Sequence, residues 1–146
     1  MPVYLTSLPT TKHDGTPTTE AIYRVAATLR AAGVVYAMTP GCVGLWYEGD
    51  DLYRDNTVLV EMDGDVDVMR RALARFGEDA EQYEVLFVER TDGLVVGRGY
   101  GDRAAEALAR KHGGATLMPG GVTVSFRYAS LVHGRDYVST VTGAVK

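Results

Sequence analysis

Residues 44–56 hold three aromatic rings (Trp46, Tyr47, Tyr53) and four carboxylates (Glu48, Asp50, Asp51, Asp55). Aromatic faces beside carboxylates suit a cationic, ring-containing ligand, through stacking, cation–π attraction and charge pairing. The same composition also describes a polar hairpin whose aromatics cover a sheet edge, and composition alone does not separate the two. Other chemistries find less support. His13, His112 and His133 are scattered and form no i, i+4 pair, which argues against a metal site or a histidine base. Cys42 is the one cysteine, so it has no disulfide partner and no second thiol for zinc. No GxSxG elbow is present. Gly97-Arg98-Gly99-Tyr100-Gly101 fits neither GxGxxG nor GxxxxGK[ST] and reads as a turn before a helix.

The elements that must position these residues belong to a chain of 146 residues, the size of one domain spanning 1–146. Hydrophobic residues at 46% and charged residues at 23% predict a folded chain. Fifteen Lys and Arg against nineteen Asp and Glu leave a net charge of −4. Such a balance is a poor match for the phosphate backbone of a nucleic acid. The first residues carry no basic and apolar leader, and no apolar run nears the roughly 20 residues of a membrane span. The expectation is a soluble, cytoplasmic protein with no membrane or nucleic-acid partner.

Residues 3–6 read as a strand and 10–16 as a loop. Thr16 stands as a helix N-cap before Pro17, and Ile22, Val25, Ala26 and Leu29 form an apolar stripe that Gly33 closes. Residues 34–38 and 43–47 read as extended around Thr39-Pro40-Gly41, Gly49-Asp50-Asp51 as a turn, and 57–62 as an interior strand. Asp65 caps a second helix with Val66, Met69, Leu73 and Phe76 on one face and Gly77 at its end. Residues 83–89 follow as a strand, and Asp92-Gly93 predicts a type I′ hairpin returning through 94–97. Asp102 begins a short helix to Ala109, closed by Gly113-Gly114, and Val122, Val124 and Phe126 alternate as a half-buried strand.

The β-α-β-β-α-β order of the first ninety residues predicts an α+β, ferredoxin-like fold: an antiparallel sheet with two helices on one face, extended by a C-terminal hairpin, short helix and strand. Such a sheet leaves open edges, so oligomerisation is expected.

Over roughly residues 24–100 the chain resembles the bacteriophage S-adenosylmethionine lyases, long described as hydrolases. The resemblance rests on Thr28-Leu29-Arg30-Ala31-Ala32 followed by Tyr36, on Gly44 with an aromatic two residues later, and on Thr57-Val58-Leu59-Val60. It continues through Val85-Leu86-Phe87-Val88 and Gly93-Leu94-Val95-Val96, with Gly97 and Gly99 beyond. It implies a homotrimer similar in architecture to PII-like proteins, with active sites between subunits. It also implies cleavage of S-adenosylmethionine to methylthioadenosine and homoserine lactone, no cofactor, and evasion of host restriction from within the host cytoplasm. The family's functional acid, a glutamate just before the third strand, matches Asp55, one methylene shorter, with Glu61 or Glu48 as substitutes. Its aromatic corresponds to Trp46 or Tyr47, in a hairpin shorter here by two or three residues. The resemblance thus assigns Asp55 and Tyr47 to catalysis and Trp46 to substrate binding; Tyr36, Glu61 and Glu89 complete the substrate-binding candidates. A PII-like sensor that binds an adenine nucleotide or S-adenosylmethionine without turnover, and a non-enzymatic inhibitor of a host enzyme, are the alternatives.

Overall fold

The computed structural model describes residues 3–82, 84–89, 94–95, 101–112, 114–119, 123–126 and 131–133. The elements are β1 (Tyr4–Pro9), α1 (Thr19–Ala31), β2 (Val35–Glu48), β3 (Asp51–Asp63), α2 (Val66–Asp79), β4 (Glu84–Leu86), β5 (Val88–Glu89), β6 (Leu94–Val95), α3 (Gly101–His112), β7 (Gly114–Leu117), β8 (Thr123–Phe126) and β9 (Leu131–His133). Seven strands form one sheet in the order β5-β1-β3-β2-β7-β8-β6, and β4 pairs with β9 in a second. Every pairing among the described residues is antiparallel.

The fold is α+β, but the ferredoxin-like expectation is corrected. In that plan the strand after the first helix ends the sheet. Here that strand, β2, is interior, flanked by β3 and β7, and the sheet runs on through β8 and β6. The strand expected at 83–89 is divided as well: β4 leaves to pair with β9, and only Val88 and Glu89 pair with β1. Of the hairpin expected about Asp92-Gly93, the described part is Val88–Glu89 paired with β1 and Leu94–Val95 paired with β8. Residues 91–93 themselves, and the tail at 141–146, lie outside the described residues.

Chain connectivity requires this sheet to curl. Seven flat strands spaced about 4.8 Å apart would separate β5 from β6 by about 29 Å. Glu89 and Leu94 are five residues apart, a reach of about 18 Å at full extension. The sheet therefore bends into an open half-barrel with an inner and an outer face. A contact confirms the curvature: the Thr116 hydroxyl of β7 donates to Ser7 Oγ of β1 at 3.5 Å, although β3 and β2 lie between those strands.

The helices cover the outer face. Alternation along β3 sends Val58, Val60 and Met62 outward, where they meet Leu8, Val25, Leu29, Met69, Leu73 and Phe76 in one core. The stripe anticipated for α1 (Ile22, Val25, Ala26, Leu29) is buried, and Gly33 ends that turn at φ 74°. Its cap is Thr18 rather than Thr16, because Pro17 pairs with Thr11 in a bridge and delays the helix. Asp65 caps α2, its carboxylate accepting from the Asp67 and Val68 amides at 2.8 and 3.3 Å. That helix passes through buried Gly77 and ends at Asp79. α3, longer than expected, packs Ala105 and Ala109 on Leu45 and Ala115, beside the half-buried Val43, Tyr47 and Leu52.

One irregularity decides which residues of β2 face inward. The register with β3 shifts between Thr39 and Cys42, where β2 carries an extra residue and Gly41 adopts φ 72°. Before this bulge Tyr36 and Met38 face outward; after it Val43, Leu45 and Tyr47 do.

Candidate functional site

On the inner face Leu5, Cys42 and Leu59 form a small buried plug with Leu86 and Met118 packed on it. From that plug burial falls steadily along β3 toward the Gly49-Asp50 turn. Leu59 is 1% exposed, Thr57 2%, Asp55 half-buried and Tyr53 43% exposed. These four alternate along one strand and so share the inner face. Register places Gly44 opposite Asp55, Cys42 opposite Thr57, and Trp46 opposite Tyr53; on its other side Gly44 pairs with Thr116 of β7. Asp55 therefore stands at the accessible end of the inner face, beside a residue with no side chain.

The loop at 10–18 is tied to the same end. The Thr10 amide and hydroxyl both donate to the Asn56 carbonyl, at 2.9 and 3.2 Å. Within the loop the Lys12 amide donates to Thr16 O at 2.8 Å and the Gly15 amide to Lys12 O at 2.9 Å. The Thr16 amide donates to Asp14 Oδ1 at 2.9 Å. At its close the Thr18 hydroxyl donates to Pro9 O at 2.6 Å. This bracing brings His13 within electrostatic reach of Asp55. Burial pushes the Asp55 carboxyl above its usual range, and the field of His13 opposes that push. The net effect is a carboxylate whose charge is incompletely solvated and available to an incoming cation.

Nearby groups are less available. Cys42 Sγ contacts the Thr39 carbonyl at 3.4 Å, and burial pushes its thiol pKa up, which makes it a poor nucleophile. The Thr57 hydroxyl is buried and, among the described residues, has no hydrogen-bond partner.

Of the residues singled out from sequence, the register brings Asp55 and Trp46 to one face. It does not bring Tyr47 to them: the bulge turns Tyr47 outward, where it packs with α3 and lies under the Arg110 guanidinium, 5.0 Å from the ring centroid. Tyr36 is also outward, at the far end of β2, its hydroxyl accepting from Arg30 at 3.0 Å. Glu61 shares the inner face but lies beyond the plug, paired with Leu5 and Ala37. Glu89 pairs with Tyr4 in the edge strand β5. Glu48 pairs with Asp51 next to the turn. Sequence reasoning missed Thr57 and His13. Alternation from Asp55 would have found Thr57; no local signal marks His13, which arrives through loop contacts.

Among the described residues no group of three or more His, Cys, Asp and Glu side chains is placed to hold a metal ion, and no helix is long and apolar enough to cross a membrane. No protein-family model matches the chain, and no curated protein matches its sequence.

Proposed function

We propose that the chain is an S-adenosylmethionine lyase, which splits its substrate into methylthioadenosine and homoserine lactone. The observation that carries this reading is the half-buried Asp55 carboxylate at the accessible end of the inner face, on the face that also holds the Trp46 position. The chemistry asks little of the protein. A carboxylate oxygen of the substrate attacks its own γ-carbon, the carbon–sulfur bond breaks, and its electron pair neutralises the sulfonium. No proton is transferred and no side chain becomes covalently attached.

Placement of the acid then matters. Positive charge disappears from sulfur during the reaction, so an anion beside sulfur would favour the ground state over the transition state. The ammonium keeps its charge throughout. Asp55 therefore serves best by binding the ammonium, holding the methionyl chain in a folded, near-attack conformer. The incomplete solvation that raises the Asp55 pKa also favours a reaction in which opposite charges cancel. An aromatic at Trp46 would stack beside the sulfonium or the adenine.

In this reading the acting unit is a homotrimer whose neighbouring copies complete the crevice, a point that solution mass tests directly. The activity is tested by incubating purified protein with S-adenosylmethionine and resolving methylthioadenosine chromatographically. Asp55→Asn is expected to lower kcat/KM by about 100-fold, the scale for one electrostatic contact in a water-poor site. An Asn variant as fast as wild type removes Asp55 from the mechanism, and binding without product favours a sensor.

A further inference from the structure

Thr57 is the inner-face residue that this chemistry leaves unused. Its side chain is 2% exposed, and its Oγ1 is buried without a hydrogen-bond partner. Buried hydroxyls are nearly always satisfied, so an unsatisfied one beside a candidate site calls for an explanation. Among the described residues its neighbours do not provide a partner. The Ser7 and Thr116 hydroxyls bond to each other, and Cys42 Sγ is directed to the Thr39 carbonyl. Thr6 Oγ1 is unpartnered too, but β1 register places it opposite Val60 on the helix-covered face, away from Asp55.

The spacing of Thr57 from Asp55 has a chemical meaning. The register of β3 is continuous from Asp51 to Thr57 on its own side, so the two residues follow each other on one face, about 7 Å apart along the strand. An ionised carboxylate only accepts hydrogen bonds, and a hydroxyl can accept as well. The separation is that of the backbone; side chains on one face can converge from it, so an anionic, accessible acceptor and a neutral, deeper one suit a small cation with several N–H donors. A primary ammonium has three donors and no acceptor. A quaternary or sulfonium centre has no donor to give Thr57.

We propose that Thr57 Oγ1 and the Asp55 carboxylate form one subsite for a primary ammonium, which makes Thr57 a specificity-determining residue for substrates with a free α-amino group. The identity of the amine rests on the lyase reading; the subsite itself rests on Thr57.

The test compares wild type, Thr57→Val and Thr57→Ser with S-adenosylmethionine and with its analogue lacking the α-amino group. Valine keeps the shape and removes the hydroxyl. The expected result is a folded Thr57→Val protein with an undiminished Tm, since the lost hydroxyl had no partner. Its KM for S-adenosylmethionine rises about tenfold, the scale of one hydrogen bond to a charged group. The loss falls on KM rather than kcat, because the ammonium is bound alike in ground and transition states. Serine restores the wild-type value, and the preference for S-adenosylmethionine over the deamino analogue shrinks in the valine variant alone. A valine variant with wild-type KM and wild-type preference overturns the subsite while leaving the lyase reading intact. If wild type yields no methylthioadenosine, that reading falls, and the subsite is tested by calorimetry with L-methioninamide and its N-acetyl derivative. Binding of the free amine alone, weakened in both Thr57→Val and Asp55→Asn, supports the subsite; equal or absent binding overturns it.

Discussion

The two faces of β3 are assembled from alternate residues of one strand, yet they obey different rules. Outward-facing Val60 and Met62 are at most 1% exposed and packed among helix side chains. Inward-facing Thr57 and Asp55 are polar, and one is buried without a partner while the other has its charge penalised by its surroundings. The outer face is what a chain selected for stability produces. Among the described residues both faces hold one unpartnered threonine hydroxyl, Thr6 outside and Thr57 inside, but only the accessible end of the inner face sets it beside a half-buried carboxylate, the kind of group that marks sites of function. A strand with period-two alternation can hold both because neither set of side chains touches the other.

The largest break of this contrast is expected from the outer face. Leu73→Ala should cost about 2–5 kcal/mol of stability, as buried leucine truncations do, read from urea unfolding. At a temperature where the variant remains folded, its KM should match wild type. A comparable loss of substrate affinity would mean that the two faces are coupled and the contrast is wrong. A smaller change comes from the cap of α2. Asp65→Ala removes the acceptor for two amides and should cost about 1 kcal/mol, again with KM unmoved.

How far these features were legible in the sequence follows from the range of the interactions behind them. The stripes of α1 and α2, Gly33 and the Asp65 cap are set by contacts within a few turns, and local pattern revealed them. Pairing across the sheet is not local. Val88 pairs with Leu5 and Leu94 with Ser125, partners far along the chain that no local pattern announces. The extra residue of β2 between Thr39 and Cys42 had the largest consequence for the site. Sequence left Trp46 and Tyr47 as equal candidates, and that single insertion decides which of them shares a face with Asp55. Asp55 was singled out through the resemblance alone. Its hydroxyl neighbour and the loop that carries His13 were not assigned, because a threonine in a β-branched run reads as ordinary strand.

The finest test of the contrast uses Asp55 as a probe of stability rather than of catalysis. Its pKa in the folded chain is raised above the ordinary value of 3.8, with burial the leading cause. A carboxyl so shifted favours folding while protonated. That contribution is fully present below the unfolded pKa and is lost as pH rises through the folded one. At neutral pH the ionised wild type therefore carries a penalty that Asp55→Asn does not. The variant should melt above wild type at pH 7, and the gap should close as pH falls toward 3.8. The field of His13 opposes the penalty, so His13→Ala in the wild-type background should widen the gap. The effect is small because Asp55 is only half-buried and water screens it. Melting curves across pH read it directly: a gap that stays constant with pH would mean that Asp55 is solvated like any surface carboxylate. The inner face would then lose its claim to a charge held ready for a ligand.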